Sequence, residues 1–488
     1  MNTQILRFWV FFMLMDMISL KQVSPNRITV DFPTLENNKI FRKVNKDSTF
    51  NCIDHSLKPR KLKKLLIPFL FLSIASFGQS KLRPKIDQSS DQVESKVIEW
   101  RRDFHQNPEL SNQEFRTAKV IAEHLRSLGM EVTEGVAKTG VVGILKGGKP
   151  GPMVGLRADM DALPVTERAD VPFKSTVTTT FNGQETGVMH ACGHDSHMAI
   201  MMGVAEVLAG MKDQLEGSIK FIFQPAEEGV YDGSIAGAEL MVKEGVMEDV
   251  DAIFGLHIWA QIEAGKIGYR SGPFLAAVDN LKITVNGTQS HGATPWYGVD
   301  PIVSSSQIVM GLQTILSRNV NITENPAIVT IGAIHGGIRS NIIPEEVNMI
   351  GTIRTFGDEQ QALVHKRITE IVTNIAESSG ASAKVEIGKL YPSTVNPPAF
   401  TSQMLPSLKG AAGEENVIAM DPITGSEDFS YFQREKPGFF IMLGGMKIGG
   451  DPLTTASHHT PDFYLEESGF KLGVRALSYL VVDYMGMQ

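Results

Sequence analysis

The order of apolar segments between residues 272 and 388 constrains the fold of this 488-residue chain most strongly. Strand-like runs at 281–285, 327–331, 347–355 and 383–387 are interleaved with helical stretches at 301–316 and 359–376. In the second helical stretch Val364, Ile368, Ile371, Val372 and Ile375 recur at helical spacing and mark one buried face. The resulting β-α-β-β-α-β series is that of a ferredoxin-like split unit, for which about 110 residues suffice. Outside this segment the rhythm is different. Helices expected over 93–104 and 115–128, the latter ending at Gly129, are followed by strand-like runs at 141–145, 153–157, 219–223 and 252–256, each feeding a polar turn. The nearly all-apolar stretch 198–208 predicts a helix buried between layers. The same α/β pattern resumes after Tyr391, with strands at 416–420 and 439–443 and a closing helix over 466–484. A small α+β domain (272–388) is therefore expected inside a larger α/β domain whose two parts (91–271 and 389–488) meet in space.

Residues 1–90 lie outside both patterns. Their apolar runs, 8–14 and 65–75, fall short of the roughly 18 to 20 residues a spanning helix needs, so no stable membrane span is expected. The second run follows Lys61, Lys63 and Lys64 and exits through Ser76, Phe77 and Gly78, the three parts of a secretory signal at 62–78. A signal belongs at a chain start, so translation is expected to begin near Leu62, and the chain to be exported, periplasmic or secreted. If the signal is unused, a cytoplasmic chain with a buried apolar helix is the alternative. Peptides from residues 1–60 in the native protein would refute the internal start. With 46 Lys and Arg against 54 Asp and Glu, and no dense basic cluster, nucleic acid is not an expected partner.

Three places can carry chemistry. The segment 189–197 packs His190, Cys192, His194 and His197 just before the buried helix, and thiolate with imidazole suits zinc and related ions. A buried thiol beside hydrogen-bonded histidines is the structural alternative. Glu227 and Glu228 follow an apolar strand between Pro225 and Gly229, at the edge where α/β folds place ligands. One carboxylate can ligate a metal while its neighbour takes a proton from water. His257 ends the run 251–256, and His459 lies far downstream beside His458. Each is weak alone; with Cys192, His194 and Glu228 they form a donor set suited to two metals. His55, His105, His124, His335 and His365 are expected to be ordinary surface histidines.

The run from Arg157 to Pro164, the Cys192 cluster, the Glu227–Glu228 pair, His257 after Gly255-Leu256, and His459-Thr460-Pro461 resemble the aminoacylase and hippurate hydrolase branch of the co-catalytic metallopeptidases. Plant indole-acetyl-amino-acid hydrolases belong to that branch. The resemblance runs from about His105 to the C-terminus. It implies a mixed-sheet, zinc-peptidase-like catalytic domain with a ferredoxin-like lid and dimerisation domain. It also implies two divalent ions, Mn2+ or Zn2+, on Cys192, His194, Glu228, His257 and His459, with Glu227 as general base. Asp161 would hold a ligating imidazole in its tautomer. His291 resembles the lid histidine that stabilises the developing oxyanion, often across a homodimer. Asn341 resembles a lid substrate ligand, with a plain turn asparagine as the alternative. The expected activity is metal-dependent hydrolysis of the amide bond of N-acyl amino acids or similar small amides and dipeptides. Two other readings stay open: a thiol hydrolase using Cys192 as nucleophile, and a non-catalytic dimeric protein that binds metal or ligand on the same scaffold.

Overall fold

A computed structural model of the chain describes residues 19–24, 27–31, 81–229, 235 and 237–487. Cys52 and the expected signal at 62–78 lie outside the described residues. The chain divides into two compact units, Met1–Ser73 and Ile74–Gln488. In the first, β1 (Ser19–Ser24) and β2 (Arg27–Asp31) pair as an antiparallel ribbon.

The second unit opens with helix α1 (Arg83–Gln106), which starts well before the expected residue 93. Its first turn reads as a polar loop with a proline, yet proline is tolerated in a first turn because the amide hydrogens there lack helical partners anyway. Ile86, Val93, Val97 and Phe104 form the buried stripe that holds the helix down. Helix α2 (Phe115–Ser127) ends at Gly129, whose φ of 78° is the left-handed conformation expected for a helix end.

Strands β3 (Glu131–Val136), β4 (Gly140–Lys146) and β5 (Lys149–Asp159) come next, then the small hairpin β6 (Thr178–Phe181) and β7 (Gln184–Gly187). Helix α3 (His194–Ala209), β8 (Glu216–Gln224), α4 (Gly237–Lys243), β9 (Ala252–Glu263) and β10 (Ile267–Tyr269) complete the first part. After the inserted segment the chain returns through α7 (Pro398–Ala412), β19 (Val417–Ala419), α8 (Phe429–Glu435), β20 (Gly438–Met446) and α9 (Phe470–Met485). Helix α7 was not expected, since Pro397, Pro398 and Pro406 punctuate its sequence. Its apolar face of Phe400, Met404, Leu408 and Ala411 is buried, and packing outweighs the backbone hydrogen bond lost at Pro406.

One mixed eight-stranded sheet has the order β19-β10-β20-β9-β5-β8-β4-β3. Strands β8, β5, β9 and β20 run parallel. Alternation along a strand sends Phe439, Ile441 and Leu443 to the layer of α1, α3, α7 and α9, and Phe440 and Met442 to that of α4 and α8. Helix α3 is buried along almost its whole length, as its apolar composition requires. The chain leaves the central strand β5 for β8 on one side and later reaches β9 on the other, which makes the carboxyl end of β5 a topological switch point. Open α/β sheets bind ligands there.

The inserted segment begins with β11 (Gly272–Leu275), β12 (Ala277–Asn286), β13 (Ser290–His291), α5 (Pro301–Arg318) and β14 (Ile328–Gly336). It continues with β15 (Ile342–Ile343), β16 (Glu346–Thr355), α6 (Asp358–Ser378), β17 (Ser382–Tyr391) and β18 (Thr394–Asn396). The antiparallel sheet order β14-β16-β12-β17 is the ferredoxin-like arrangement. Strands β11 and β18 pair where the chain enters and leaves, and Ser393 Oγ donates to Leu275 O at 2.7 Å between the two crossings.

Candidate active site

Four elements converge on the carboxyl end of β5. Beyond Asp159 the chain turns through Asp161; β8 ends at Gln224 and leads into Glu227 and Glu228; Cys192 and His194 stand at the start of α3. His257 was expected at a strand end, but β9 continues to Glu263. The register Arg157↔Gly255 places His257 level with Asp159, where β9 outruns its neighbour. Gly193 lets thiol and imidazole face one centre. Its φ is 99°, and a Cβ there would lie 2.4 Å from Ile258 Cγ2.

Hydrogen bonds sort the histidines. His197 Nδ1 pairs with Asp159 Oδ1 at 2.5 Å and its Nε2 accepts from the Ile258 amide at 2.8 Å, so both nitrogens are taken. His458 is also engaged on both sides, by Cys192 O at 3.2 Å and the Ala260 amide at 3.1 Å. His194 and His257 use only Nδ1, donating to Asp161 O at 2.8 Å and to Ile258 O at 2.6 Å. Their Nε2 atoms face inward. His257 Nε2 lies 3.4 Å and His459 Nε2 3.3 Å from Cys192 Sγ. His459 Nε2 is also 3.2 Å from Glu228 Oε1. Among the described residues five groups of donors lie close enough to hold an ion, and two of them, Cys192-His194-His257 and Cys192-Glu228-His459, share one sulfur.

The acidic loop is held from outside itself. Ala226 has φ 52° and Gly229 φ 91°, a path that β8 could not continue into. Glu114 Oε1 accepts from Ala226 N at 2.9 Å, while the Asp161 carboxylate accepts from Glu227 N at 3.1 Å and Glu228 N at 3.0 Å. Asp161 was expected to hold a ligating imidazole in its tautomer. Its backbone carbonyl carries the 2.8 Å bond to His194 and the carboxylate adds a longer 3.3 Å contact, so one residue fixes both the ligating imidazole and the acid pair.

The electrostatics fit cations. Asp159, Asp161, Glu227, Glu427 and Asp428 are all buried here, and one guanidinium, Arg157, reaches Asp159, Glu427 and Asp428 at 2.7 to 2.8 Å. Burial alone would lower His194, yet Asp159, Asp161 and Glu228 raise it to about 10. Glu227 is pushed well above the carboxylate range by burial, then by Glu427, Glu228 and Asp428, with Arg157 opposing. His194 Nε2 is buried without a hydrogen bond, 3.8 to 4.0 Å from Asp159, Glu227 and Glu228. Soft sulfur, three inward imidazole nitrogens and a carboxylate can hold two divalent cations, which would offset this excess of negative charge.

The two other expected residues lie elsewhere. His291 and Asn341 are exposed neighbours on the β13–β15 ribbon, where Gly292 N donates to Asn341 O at 2.9 Å. Among the described residues neither bonds to the Cys192 cluster. His291 Nδ1 accepts from Ala293 N at 3.0 Å, which leaves Nε2 as a donor. His105, expected on the surface, is buried with Asp195 at 2.7 Å and Glu167 at 3.1 Å. His365, also expected on the surface, pairs with the buried Asp279 at 2.7 Å. Sequence reasoning passed over Glu114 and the pair Glu427-Asp428. The latter could have been found as a second acid pair beside a glycine, Gly425.

An α/β sheet with a dinuclear donor set and a general-base candidate at its switch point defines a metal-dependent amidohydrolase. The chain belongs to Peptidase family M20/M25/M40, whose model matches residues 155–483. It is 40% identical over 402 residues to thermostable carboxypeptidase 2 of Saccharolobus solfataricus, covering 82% of this chain and 98% of that one. With IAA-amino acid hydrolase ILR1-like 2 of Arabidopsis thaliana it shares 34% identity over 441 residues, 87% and 96% of the two chains. A dinuclear metal-binding M20 peptidase of Bacillus subtilis superposes with a TM-score of 0.68 at 33% identity, covering 81% of this chain and 99% of that one.

Proposed function

We propose that the protein hydrolyses the amide bond of N-acyl amino acids and related dipeptides with the help of two divalent ions, Mn2+ or Zn2+, which Cys192 and the donors around it would hold. His194 and His257 would hold one ion, Glu228 and His459 the other. The shared sulfur between two triads carries this reading. When bound, the ions would supply Lewis acidity toward water and the scissile carbonyl. Glu227, beside His194 and Glu228, takes the proton of the attacking water and returns it to the departing amine. His291 offers Nε2–H to the oxyanion and Asn341 its amide to substrate, on lid closure or from a second copy. The presence among the relatives of one named a carboxypeptidase and one named an IAA-amino acid hydrolase supports the substrate class.

The thiol reading fares worse. A nucleophilic Cys192 paired with an imidazole would leave Glu228 and His459, which reach the same sulfur, without a role. Dialysis against a chelator is expected to abolish release of amino acid from hippurate and N-acetyl amino acids, and Mn2+ or Zn2+ to restore it. Activity indifferent to chelation would overturn the proposal.

A homodimer through the inserted domain is part of the same reading. Edge strand β14 exposes Ile334, and α5 exposes Val303 and Met310 beside it. Sedimentation is expected to give a dimer that Met310→Lys together with Val303→Asp dissociates; a wild-type monomer would refute it.

A further inference from the structure

The acid loop is held by one more residue, and it comes from the crossing into the lid. Tyr391 is the last residue of β17, and its hydroxyl donates to the Glu227 carbonyl oxygen at 2.9 Å. A few residues on, in β18, Thr394 Oγ1 donates to Glu427 O at 3.2 Å. The crossing at 391–394 therefore touches both loops whose carboxylates, Glu227 and Glu427, face each other. Other contacts gather around it. The Tyr391 ring meets Tyr431 edge to face at 6.3 Å, and Tyr431 OH donates to Leu390 O at 2.5 Å. Arg434 of α8 grips Asp358, the first residue of lid helix α6, at 2.6 Å. Burial, then Asp428 and Glu227, push the Tyr391 phenol upward, so it stays a donor at any working pH.

We propose that Tyr391 is a positioning residue that makes the placement of Glu227 depend on the position of the lid. The inference rests on Glu227 as general base. A rotation of the inserted domain about the β11–β18 ribbon carries Tyr391 with it. Glu227, between a left-handed alanine and a left-handed glycine, lies in irregular backbone held by the Asp161 carboxylate on its amide and by Tyr391 on its carbonyl. The hydroxyl is thus the link by which a closed lid sets the base and an open one releases it.

Tyr391→Phe keeps the ring and removes the link. Expected is a fall in kcat of about 10- to 100-fold, the scale on which a misplaced reacting group costs rate, with KM and metal content unchanged. Asp358→Ala loosens the lid without touching the acid loop and is expected to lower kcat in the wild type but not further in Tyr391→Phe, because contacts acting in series are not additive. If Tyr391→Phe fails to fold, Tyr431→Phe is expected to show the same non-additivity with Asp358→Ala. Wild-type kcat in Tyr391→Phe, or effects of the two substitutions that multiply, overturns the proposal. Glu227→Gln run alongside separates the failures: if it retains full rate, the base assignment is what has fallen.

Discussion

Glu227→Gln is expected to keep two divalent ions per chain while losing about 10²- to 10⁴-fold in kcat, the range attributed to a general acid–base group. Glutamine preserves the length of the side chain and leaves the loop bonds untouched, since these run through the backbone amides of Glu227 and Glu228 to Asp161. What it removes is the capacity to accept a proton. Without metal, burial and the carboxylates of Glu427, Glu228 and Asp428 favour a protonated Glu227, and cations held beside it would shift it toward the carboxylate that accepts a proton. An amide at this position relieves that repulsion, so the metal-free variant is expected to melt no lower than the wild type. Lost activity with retained stability is the signature of a site that trades stability for chemistry. Assays of metal content, melting and turnover on one preparation check all three; full turnover would remove Glu227 from the reaction.

Cys192→Ala is expected to act on the metals instead. The sulfur belongs to both donor triads, so its loss leaves each with two protein ligands, fewer than the three that catalytic sites of this kind keep. Metal content should fall below two ions per chain, and kcat by about 10³ or more, beyond the 10- to 100-fold that loss of a bond supporting a ligand costs. The thiol-nucleophile reading predicts otherwise, an inactive variant with full metal content. Metal analysis of the purified variant decides between them.

The four-stranded sheet β14-β16-β12-β17 and its two helices were legible in the sequence because their order is local and α6 carries an uninterrupted apolar stripe, with Val364, Ile368 and Val372 buried as their spacing requires. Cys192, His194, Glu228, His257 and His459, which the structure brings together, are conspicuous in sequence because sulfur, imidazole and carboxylate are chemically distinctive. What stayed hidden depends on contacts between distant segments. Nothing near Arg157 announces Glu427 and Asp428, which come from a loop after β19. His105 sits on a helix whose other residues look amphipathic, and only the approach of α3 and Glu167 shows that it is buried between two carboxylates. His197 and His458 are as conspicuous in sequence as the donors beside them. Hydrogen bonds to the Ile258 and Ala260 amides of β9 take up their second nitrogens. Choosing among neighbouring histidines is thus a question of register along β9, which composition does not reveal.

Two divalent ions held around Cys192 would be needed for amide hydrolysis. Titrating metal-free protein with Mn2+ while following hippurate or N-acetyl amino acid hydrolysis tests this most directly. No activity is expected without metal, and a plateau at two ions per chain. Full activity in metal-free protein would contradict it.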